Sequence, residues 1–318
     1  MNQPRMESLV VVMPIFEDVE ASSRLFRELS LKQGSSTFVV AVDDGSVKQP
    51  VEPVAIADAG LNGVVIRLRR NVGHQRAIAI GLSYVAENFG DDQEVVVMDS
   101  DGEDKPESIG ELLEKLRLAD VDIVVATRKS RVETLRFRAF YLVYKWIFSV
   151  LSGRKISFGN FMALKMPAVR RLAAMQELWT HVAACVLNSR LRVATAGLDR
   201  GPRYAGRSKM NFVGLALHGF RALMVFAEDV LVRVGIVCTL VAGLSVAGGV
   251  LALVLKALGF ATPGWFSLVS GILLLVFLQT GALTLITLML SGSVRSGGIV
   301  TPGSYMDFVL EELEAHRG

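Results

Sequence analysis

Short apolar runs recur along the first part of the chain at residues 9–13, 37–42, 63–68, 94–98 and 121–126, separated by stretches with helical spacing of apolar positions. A strand covered on both faces reads as a continuous apolar run. Strands that alternate with helices predict an α/β fold, a mostly parallel sheet with helices on both faces. In open sheets of this kind ligands gather beyond the carboxyl ends of the strands. The residues found there are Pro14-Ile15-Phe16-Glu17-Asp18, Asp43-Asp44-Gly45-Ser46, Asp99-Ser100-Asp101 and Thr127-Arg128. Several strands thus deliver polar groups to one edge, and that edge is the expected site.

Farther along, the pattern changes. No residue from Val234 to Leu255 or from Ala257 to Val294 is charged. A helix crossing the hydrocarbon core of a bilayer needs roughly 20 residues. Two membrane spans are therefore expected, at about 234–256 and 265–290, joined as a hairpin through Lys256, Gly259, Pro263 and Gly264. The expected divisions are a domain over 1–210, a juxtamembrane amphipathic helix over 211–232, the spans over 233–294 and a cytoplasmic tail over 295–318. Residues 135–151 mix Tyr141, Trp146 and Phe148 with Arg136, Arg138 and Lys145, which suits a helix in a membrane interface or an ordinary core helix equally.

Charge adds a direction. Arg221, Arg233 and Arg295 flank the spans on the side of both termini, whereas the connection between the spans offers only Lys256. The excess of positive charge places both termini and the first domain in the cytoplasm, at the cell inner membrane. The run Leu9–Met13 is too short for a signal sequence and leads straight into Pro14. A net charge of +3 gives no ground for a nucleic-acid partner. Cys185 and Cys238 are far apart, and Cys238 falls within a span, so neither a disulfide framework nor a zinc site is expected.

Asp99 and Asp101 follow an apolar run and precede Lys105-Pro106-Glu107, a helix start with proline in its first turn. Two carboxylates spaced this way at a strand end repel unless a cation or donors lie between them. A hard divalent ion, Mg²⁺ or Mn²⁺, held by one or two carboxylates and by substrate phosphates resolves the repulsion. A solvated loop with a helix cap at Asp104 is the alternative. Asp43-Asp44-Gly45 also reads as a β-turn. Asn71, Gly73 and His74 open a helix whose first amides could face an anion, and His74 alone reads equally as a ligand or as a cap or packing residue.

Taken in order, Pro14-Ile15-Phe16, Asp43-Asp44-Gly45-Ser46, Asn71-Val72-Gly73-His74-Gln75-Arg76-Ala77 and Asp99-Ser100-Asp101-Gly102-Glu103-Asp104-Lys105-Pro106 resemble the motifs of family 2 glycosyltransferases with a GT-A fold. Arg203-Tyr204-Ala205-Gly206-Arg207-Ser208-Lys209, followed by an amphipathic helix and two spans, is similar to the branch of dolichyl-phosphate-mannose synthases and bactoprenol glucosyltransferases. The resemblance implies an inverting transferase that moves a sugar from a UDP- or GDP-sugar to a polyprenyl carrier, undecaprenyl phosphate, at the membrane. It implies that Asp101 and Asp99 are the catalytic pair and hold the metal. It further implies that Pro14, Phe16, Asp18, Asp43, Asp44 and Asn71 bind the donor nucleotide. Arg128, Arg131, Arg203, Ser208 and Lys209 are then the residues for donor and acceptor phosphates. The sugar, the base and the oligomeric state, a homo-oligomer included, are left open. Rival functions are transfer to a hydroxyl in lipid or polysaccharide synthesis and a catalytically inactive membrane scaffold.

Two departures mark this chain. Glu17-Asp18 stands where the family's first motif has Asn-Glu, and in Ser157-Phe158-Gly159-Asn160-Phe161 an asparagine replaces the family's carboxylate, with no arginine after Phe161. A subgroup with its own sugar or acceptor is implied. A phosphate monoester, with a second pKa of about 6, is already an anion near neutral pH and needs no general base. A hydroxyl acceptor does need one. Glu177, His181 and Asp199 are the later candidates and none sits in a motif, which favours the phosphate acceptor.

Overall fold

The computed structural model describes residues 7–128, 145–154, 158–204, 212–260, 262, 264–295 and 300–317. They fall into two units, one built from the first part of the chain plus its last residues and one from 142–155 with 226–298. Arg131, Ser208 and Lys209, and most of the helix expected over 135–151, lie outside the described residues.

The first unit is built on a sheet of β1 (Leu9–Ile15), β2 (Thr37–Asp43), β3 (Asn62–Leu68), β4 (Glu94–Val97), β5 (Ile123–Arg128), β6 (Met162–Lys165), β7 (Val193–Leu198) and β8 (Val309–Ala315). The strand order is β7-β5-β6-β4-β1-β2-β3-β8. Helices α1 (Val19–Gln33), α2 (Val54–Ala57), α3 (His74–Asn88), α4 (Ile109–Leu118), α5 (Met166–Ala173) and α6 (Val182–Asn188) accompany it. β1 and β2 are buried along their whole length, as central strands covered on both faces should be. Because side chains alternate, Val10 and Val12 pack with Ile78 and Leu82 of α3, while Val11 and Met13 enter the opposite layer with Leu25 and Phe26 of α1 and Leu112 of α4. Pro14 is tolerated in this central strand because its nitrogen faces β4, whose pairing with β1 has ended at Val12↔Val97.

β1, β2, β3 and β4 run parallel, as do β5 and β7. β6 is antiparallel to β4 and β5, and β8 is antiparallel to β3. The sheet is thus mixed and mostly parallel, with the expected strands in place. β6, β7 and β8 carry no apolar run that would announce them. β6 is a short strand, β7 is only partly buried, and β8 reads Val-Leu-Glu-Glu-Leu-Glu-Ala.

β8 corrects the expectation of a tail over 295–318. It pairs with β3 from Gly63↔Ala315 to Leu68↔Val309, and Arg67 Nη1 meets Glu311 Oε1 at 2.5 Å across the pair. Tyr305, just before it, is buried and stands edge-on to Tyr84 of α3 with ring centroids 6.4 Å apart. An edge strand with one solvated face can carry glutamates, and the glutamates are why its sequence does not read as a strand.

Downstream, α7 (Phe212–Met224) ends and α8 (Ala227–Ala257) begins on either side of Val225-Phe226. The single helix expected over 211–232 is therefore two, and its last turns belong to the first apolar helix. α9 (Trp265–Arg295) follows. α8 and α9 pack antiparallel. A Cβ on Gly248 would meet Leu273 at 3.3 Å, and one on Gly235 would meet Thr287 at 3.1 Å, so glycines permit the close approach. Both helices are long and apolar enough to cross a membrane, with mean hydropathy of 2.3 and 2.2 over their most apolar windows. Only 22% and 6% of those windows is buried, and Leu244, Leu275 and Met289 face outward. A buried helix pair of a soluble protein would show the reverse.

Candidate active site

The parallel strands bring the loops after β1, β2, β3 and β4 side by side at one edge, with the residues before β6 and after β7 at the same edge. Each loop is held by carboxylates. Asp44 N–H donates to Ile15 O at 2.8 Å, tying the second loop to the first. Asp43 is fully buried and accepts from Ser46 N at 2.9 Å and Val51 N at 3.0 Å. Asp44 accepts from Val72 N at 2.6 Å and Gly73 N at 3.0 Å. Burial pushes the Asp44 carboxyl up despite these two amides. Gly45, with φ at +72°, lies so close to the third loop that a Cβ would sit 2.5 Å from the carbonyl carbon of Arg70. No other residue fits there.

These bonds change two expectations. The carboxylates of Asp43 and Asp44 shape the loops through backbone amides rather than standing open. The amides that do face an anion are those of Val72 and Gly73, just before α3, and that anion is Asp44. Asn71 itself is exposed. Pro14 is buried within β1, Phe16 is exposed at the edge, and Asp18 is the residue before α1. Glu17, which stands at the first departure from the family pattern, has a role the sequence did not disclose. With φ at +48°, it accepts from Val47 N at 2.8 Å, Lys48 N at 3.1 Å and Gln49 N at 2.9 Å. These amides, Val47 first, hold its carboxyl below the usual range. The polar run after Gly45 was the only signal for it.

The loop after β4 carries the charge. Asp104 does not cap the next helix; it is buried and its Oδ2 accepts from Asp99 N at 3.0 Å. Asp101 Oδ1 accepts from Glu103 N at 2.9 Å, and Asp101 Oδ2 pairs with Arg203 Nη2 at 2.7 Å. Arg200, absent from the sequence-based candidates, bonds Glu103 and lies 3.8 Å from Asp99 and 3.5 Å from Asp104. The strap 200–204 follows the acidic loop, with Gly201 N on Glu103 O and Tyr204 N on Asp101 O, each at 2.9 Å. Tyr204 packs over Gly102, whose φ is +82° and whose missing Cβ leaves room for the ring. Its hydroxyl bonds Glu28, and Arg24 lies 4.1 Å over the ring. Arg24, Lys105, Arg203 and Tyr204 line a cavity of about 300 Å³ beside the loop. Thr127 and Arg128 end β5 beside β7 on the same edge.

His74 is neither cap nor core packing. Its Nε2 lies 3.2 Å from Asp99 Oδ1 and 3.0 Å from Asn160 Nδ2. The imidazole therefore lies between Asn160 and Asp99. Desolvation beside the acidic loop opposes the imidazolium, but the contact and charge of Asp99 together with the charges of Asp101 and Asp104 outweigh it and raise the His74 pKa. Burial likewise opposes the Asp99 carboxylate, yet His74, Arg200 and Arg203 together lower its pKa. Asp101 is raised by burial and by the Asp99 charge. Asp104 is pushed up to about 7, by burial first and then by Asp99.

Among the described residues no three histidine, cysteine or acidic side chains converge on one point to hold a metal. The loop nevertheless fits a divalent ion in the manner of Mg²⁺, which uses one or two carboxylates and completes its shell with substrate oxygens. Four carboxylates face two arginines and one histidine here, and the buried Asp99 Oδ1 has no well-aligned hydrogen-bond donor. Asp99 and Asp101 are the groups that could hold the ion.

The three candidates for a general base are otherwise engaged or placed. Glu177 accepts from Asn188 Nδ2 at 2.9 Å, and Asp199 is exposed. His181 precedes α6, where its Nδ1 accepts from Ala184 N at 3.2 Å and its Nε2 faces His218 Nε2 at 3.1 Å. Nδ1 as acceptor leaves Nε2 as the protonated nitrogen of a neutral ring, donating to His218. Burial first, then the neighbouring His218, lowers the His181 pKa to about 3. A histidine held neutral contributes stability that is present above its unfolded pKa and lost as pH falls below it. Between pH 7.5 and pH 5 this loss is expected to reach about 2 kcal/mol, given an unfolded value of about 6.5. Thermal melts of the wild type and His181→Gln across that range measure it. A wild-type midpoint that falls no faster with acid than that of the variant would refute it.

Comparison with known proteins agrees with this geometry. The model of Glycosyl transferase family 2 matches residues 11–177, just over half of the chain. An uncharacterized glycosyltransferase of Synechocystis is 28% identical, over 96% of this chain and 92% of its own. The undecaprenyl-phosphate 4-deoxy-4-formamido-L-arabinose transferase of Enterobacter is 26% identical over 64% of this chain and 63% of its own. Among solved structures, glucosyl-3-phosphoglycerate synthase of Mycobacterium tuberculosis, in complex with Mn²⁺, UDP-glucose and phosphoglyceric acid, superimposes with a TM-score of 0.50 at 16% identity, over 71% of this chain and 79% of that one, a likeness of fold. The chain is a glycosyltransferase and belongs to glycosyl transferase family 2.

Proposed function

We propose that the protein transfers a sugar from a nucleoside-diphosphate sugar to a polyprenyl phosphate, undecaprenyl phosphate, at the cytoplasmic face of the inner membrane, with inversion at the anomeric carbon. The observation that carries this reading is the acidic loop after β4, where Asp99 and Asp101 meet Arg200, Arg203 and His74, in a chain with two helices fit to cross a membrane. The relatives named for undecaprenyl-phosphate transfer support the acceptor. The Mn²⁺ and UDP-glucose of the Mycobacterium enzyme are in keeping with the cofactor and donor. The positive charge that flanks the spans supports cytoplasmic termini, and with them a donor edge on the side where nucleotide sugars are made.

In this reading the loops held by Glu17, Asp43 and Asp44 form the nucleotide end of the site. Asp99 and Asp101 would hold Mg²⁺ or Mn²⁺, which as a Lewis acid offsets the charge that grows on the leaving diphosphate. His74, with its Nε2 3.2 Å from Asp99 Oδ1, supplies positive charge beside the Asp99 carboxylate when protonated. Arg128, Arg131, Arg203, Ser208 and Lys209 supply charge and donors for the phosphates, arginine in the bidentate geometry that suits them. The lipid phosphate oxygen, already anionic, attacks without proton removal. A His181 whose pKa lies near 3, with Glu177 engaged and Asp199 exposed, agrees with a reaction that needs no base.

The test is a transfer assay with purified protein, Mn²⁺ or Mg²⁺, a panel of nucleotide sugars, and undecaprenyl phosphate beside the corresponding alcohol. Product is expected from the phosphate alone. Arg131→Ala should raise KM for the lipid phosphate about 10- to 150-fold, the loss of one charge-assisted bond, and the KM for the donor far less. Glu177→Gln and Asp199→Asn should retain most activity. Transfer to the alcohol, abolished by either of these carboxylate changes, would establish a hydroxyl acceptor instead.

A further inference from the structure

We propose that Arg203 is the resident counterion of the metal site and competes with the divalent cation for Asp101. The inference rests on the reading of Asp99 and Asp101 as metal ligands. Asp101 is largely buried, and both its oxygens are committed, Oδ1 to Glu103 N–H at 2.9 Å and Oδ2 to Arg203 Nη2 at 2.7 Å. A divalent ion bound at about 2.1 Å from a carboxylate oxygen lies close to a guanidinium on the same carboxylate, and the two positive charges repel each other. Arg200 does not stand in the way. It is bound to Glu103 and reaches Asp99 only at 3.8 Å.

Arg203 also has somewhere to go. Its Nε already lies 3.3 Å from Glu103 Oε1, and the guanidinium borders the cavity of about 300 Å³ that it lines with Arg24, Lys105 and Tyr204. The backbone beside it is tethered. Tyr204 N–H is bound to Asp101 O at 2.9 Å, and the Tyr204 ring is clamped by Glu28 and Arg24. The side chain can therefore swing while the strap stays on the loop. Without a cation the guanidinium supplies the positive charge opposite Asp101. A diphosphate that draws Arg203 away frees Asp101 for the ion, so the two ligands assist each other, reciprocally.

Binding of Mn²⁺ alone to the full-length protein in detergent, followed by the electron paramagnetic resonance of the free ion, tests this. Arg203→Gln is expected to bind Mn²⁺ at least about tenfold tighter than wild type, the equivalent of removing one charge-assisted bond. Arg200→Gln removes the same charge from the same loop and is expected to tighten binding by less than about fivefold, the effect of a more screened charge. Arg203→Lys, which keeps the charge but loses the fork, should fall between wild type and Arg203→Gln, and it carries the test if the glutamine variant does not fold. Equal tightening in Arg203→Gln and Arg200→Gln, or none in Arg203→Gln and Arg203→Lys, overturns the competition. If Mn²⁺ binding is lost in Asp101→Asn all the same, the metal site itself stands. Wild type and Asp101→Asn that bind Mn²⁺ alike, or not at all, overturn both.

Discussion

Asp101→Asn is expected to abolish sugar transfer while leaving the fold in place. The substitution keeps the volume of the side chain and can still accept from Glu103 N–H, so the turn of the loop survives. Burial already raises the Asp101 pKa, a desolvation cost of the charged form that the neutral amide does not carry. What is lost is the charge opposite Arg203, and with it a full ligand for the divalent ion. Removing one group that stabilises developing charge costs about 10²- to 10³-fold in turnover, and a lost metal ligand belongs at the upper end of that range or beyond. Metal-dependent nucleotide release by the purified variant measures the effect, and its thermal midpoint measures the fold. Activity near that of the wild type would remove Asp101 from the reaction, whatever the midpoint.

Deleting residues 300–318 is expected to destabilise the catalytic unit severely, although every motif residue and both apolar helices remain. β8 is paired with β3 along its length, Arg69 N donates to Phe308 O at 2.9 Å, and Tyr305 and Val309 are buried in the layer beneath α3. Burial of one large apolar side chain stabilises by about 1.5–3 kcal/mol, so the two together with the lost pairing contribute on the order of 5 kcal/mol. That is comparable with the whole stability of many domains. A truncation after Ala227, designed to leave a soluble donor-binding core, removes the same strand and is expected to fail for the same reason. Expression and thermal melting of the two truncations beside the full chain provide the measurement. A deletion of 300–318 that melts within a few degrees of the full chain would show that β8 is dispensable.

The comparison between sequence and structure divides by range of interaction. Strands β1 to β5 were legible because each carries a run of apolar residues that is covered on both faces. The site edge followed from them, since parallel strands put their carboxyl ends together. The two long apolar helices were legible for a related reason, because few arrangements other than a lipid phase accept so long an uncharged run. Asp99 and Asp101 stood out through their spacing at a strand end, in company with Asp43-Asp44 at another strand end and the apolar spans downstream. These are properties a residue has by virtue of its neighbours in the chain.

Tertiary structure decided everything that depends on which distant groups meet. Nothing local to Glu17 tells that its carboxylate gathers the amides of 47–49, or to Asp44 that it closes the start of α3. Arg200 and Arg203 lie about a hundred residues from the acidic loop they neutralise, and only the return of the chain through β7 brings them there. His74 joins Asn160 to Asp99 across three separate loops. The edge strand β8, rich in glutamate and following the apolar helices, becomes a strand because β3 offers an unpaired ladder and Arg67 a countercharge. The sequence by itself determined the layers, the edge and the carboxylate pair, because burial and period are local constraints. The partners that set the charge of that pair were decided by the fold, because electrostatics acts through space and not along the chain.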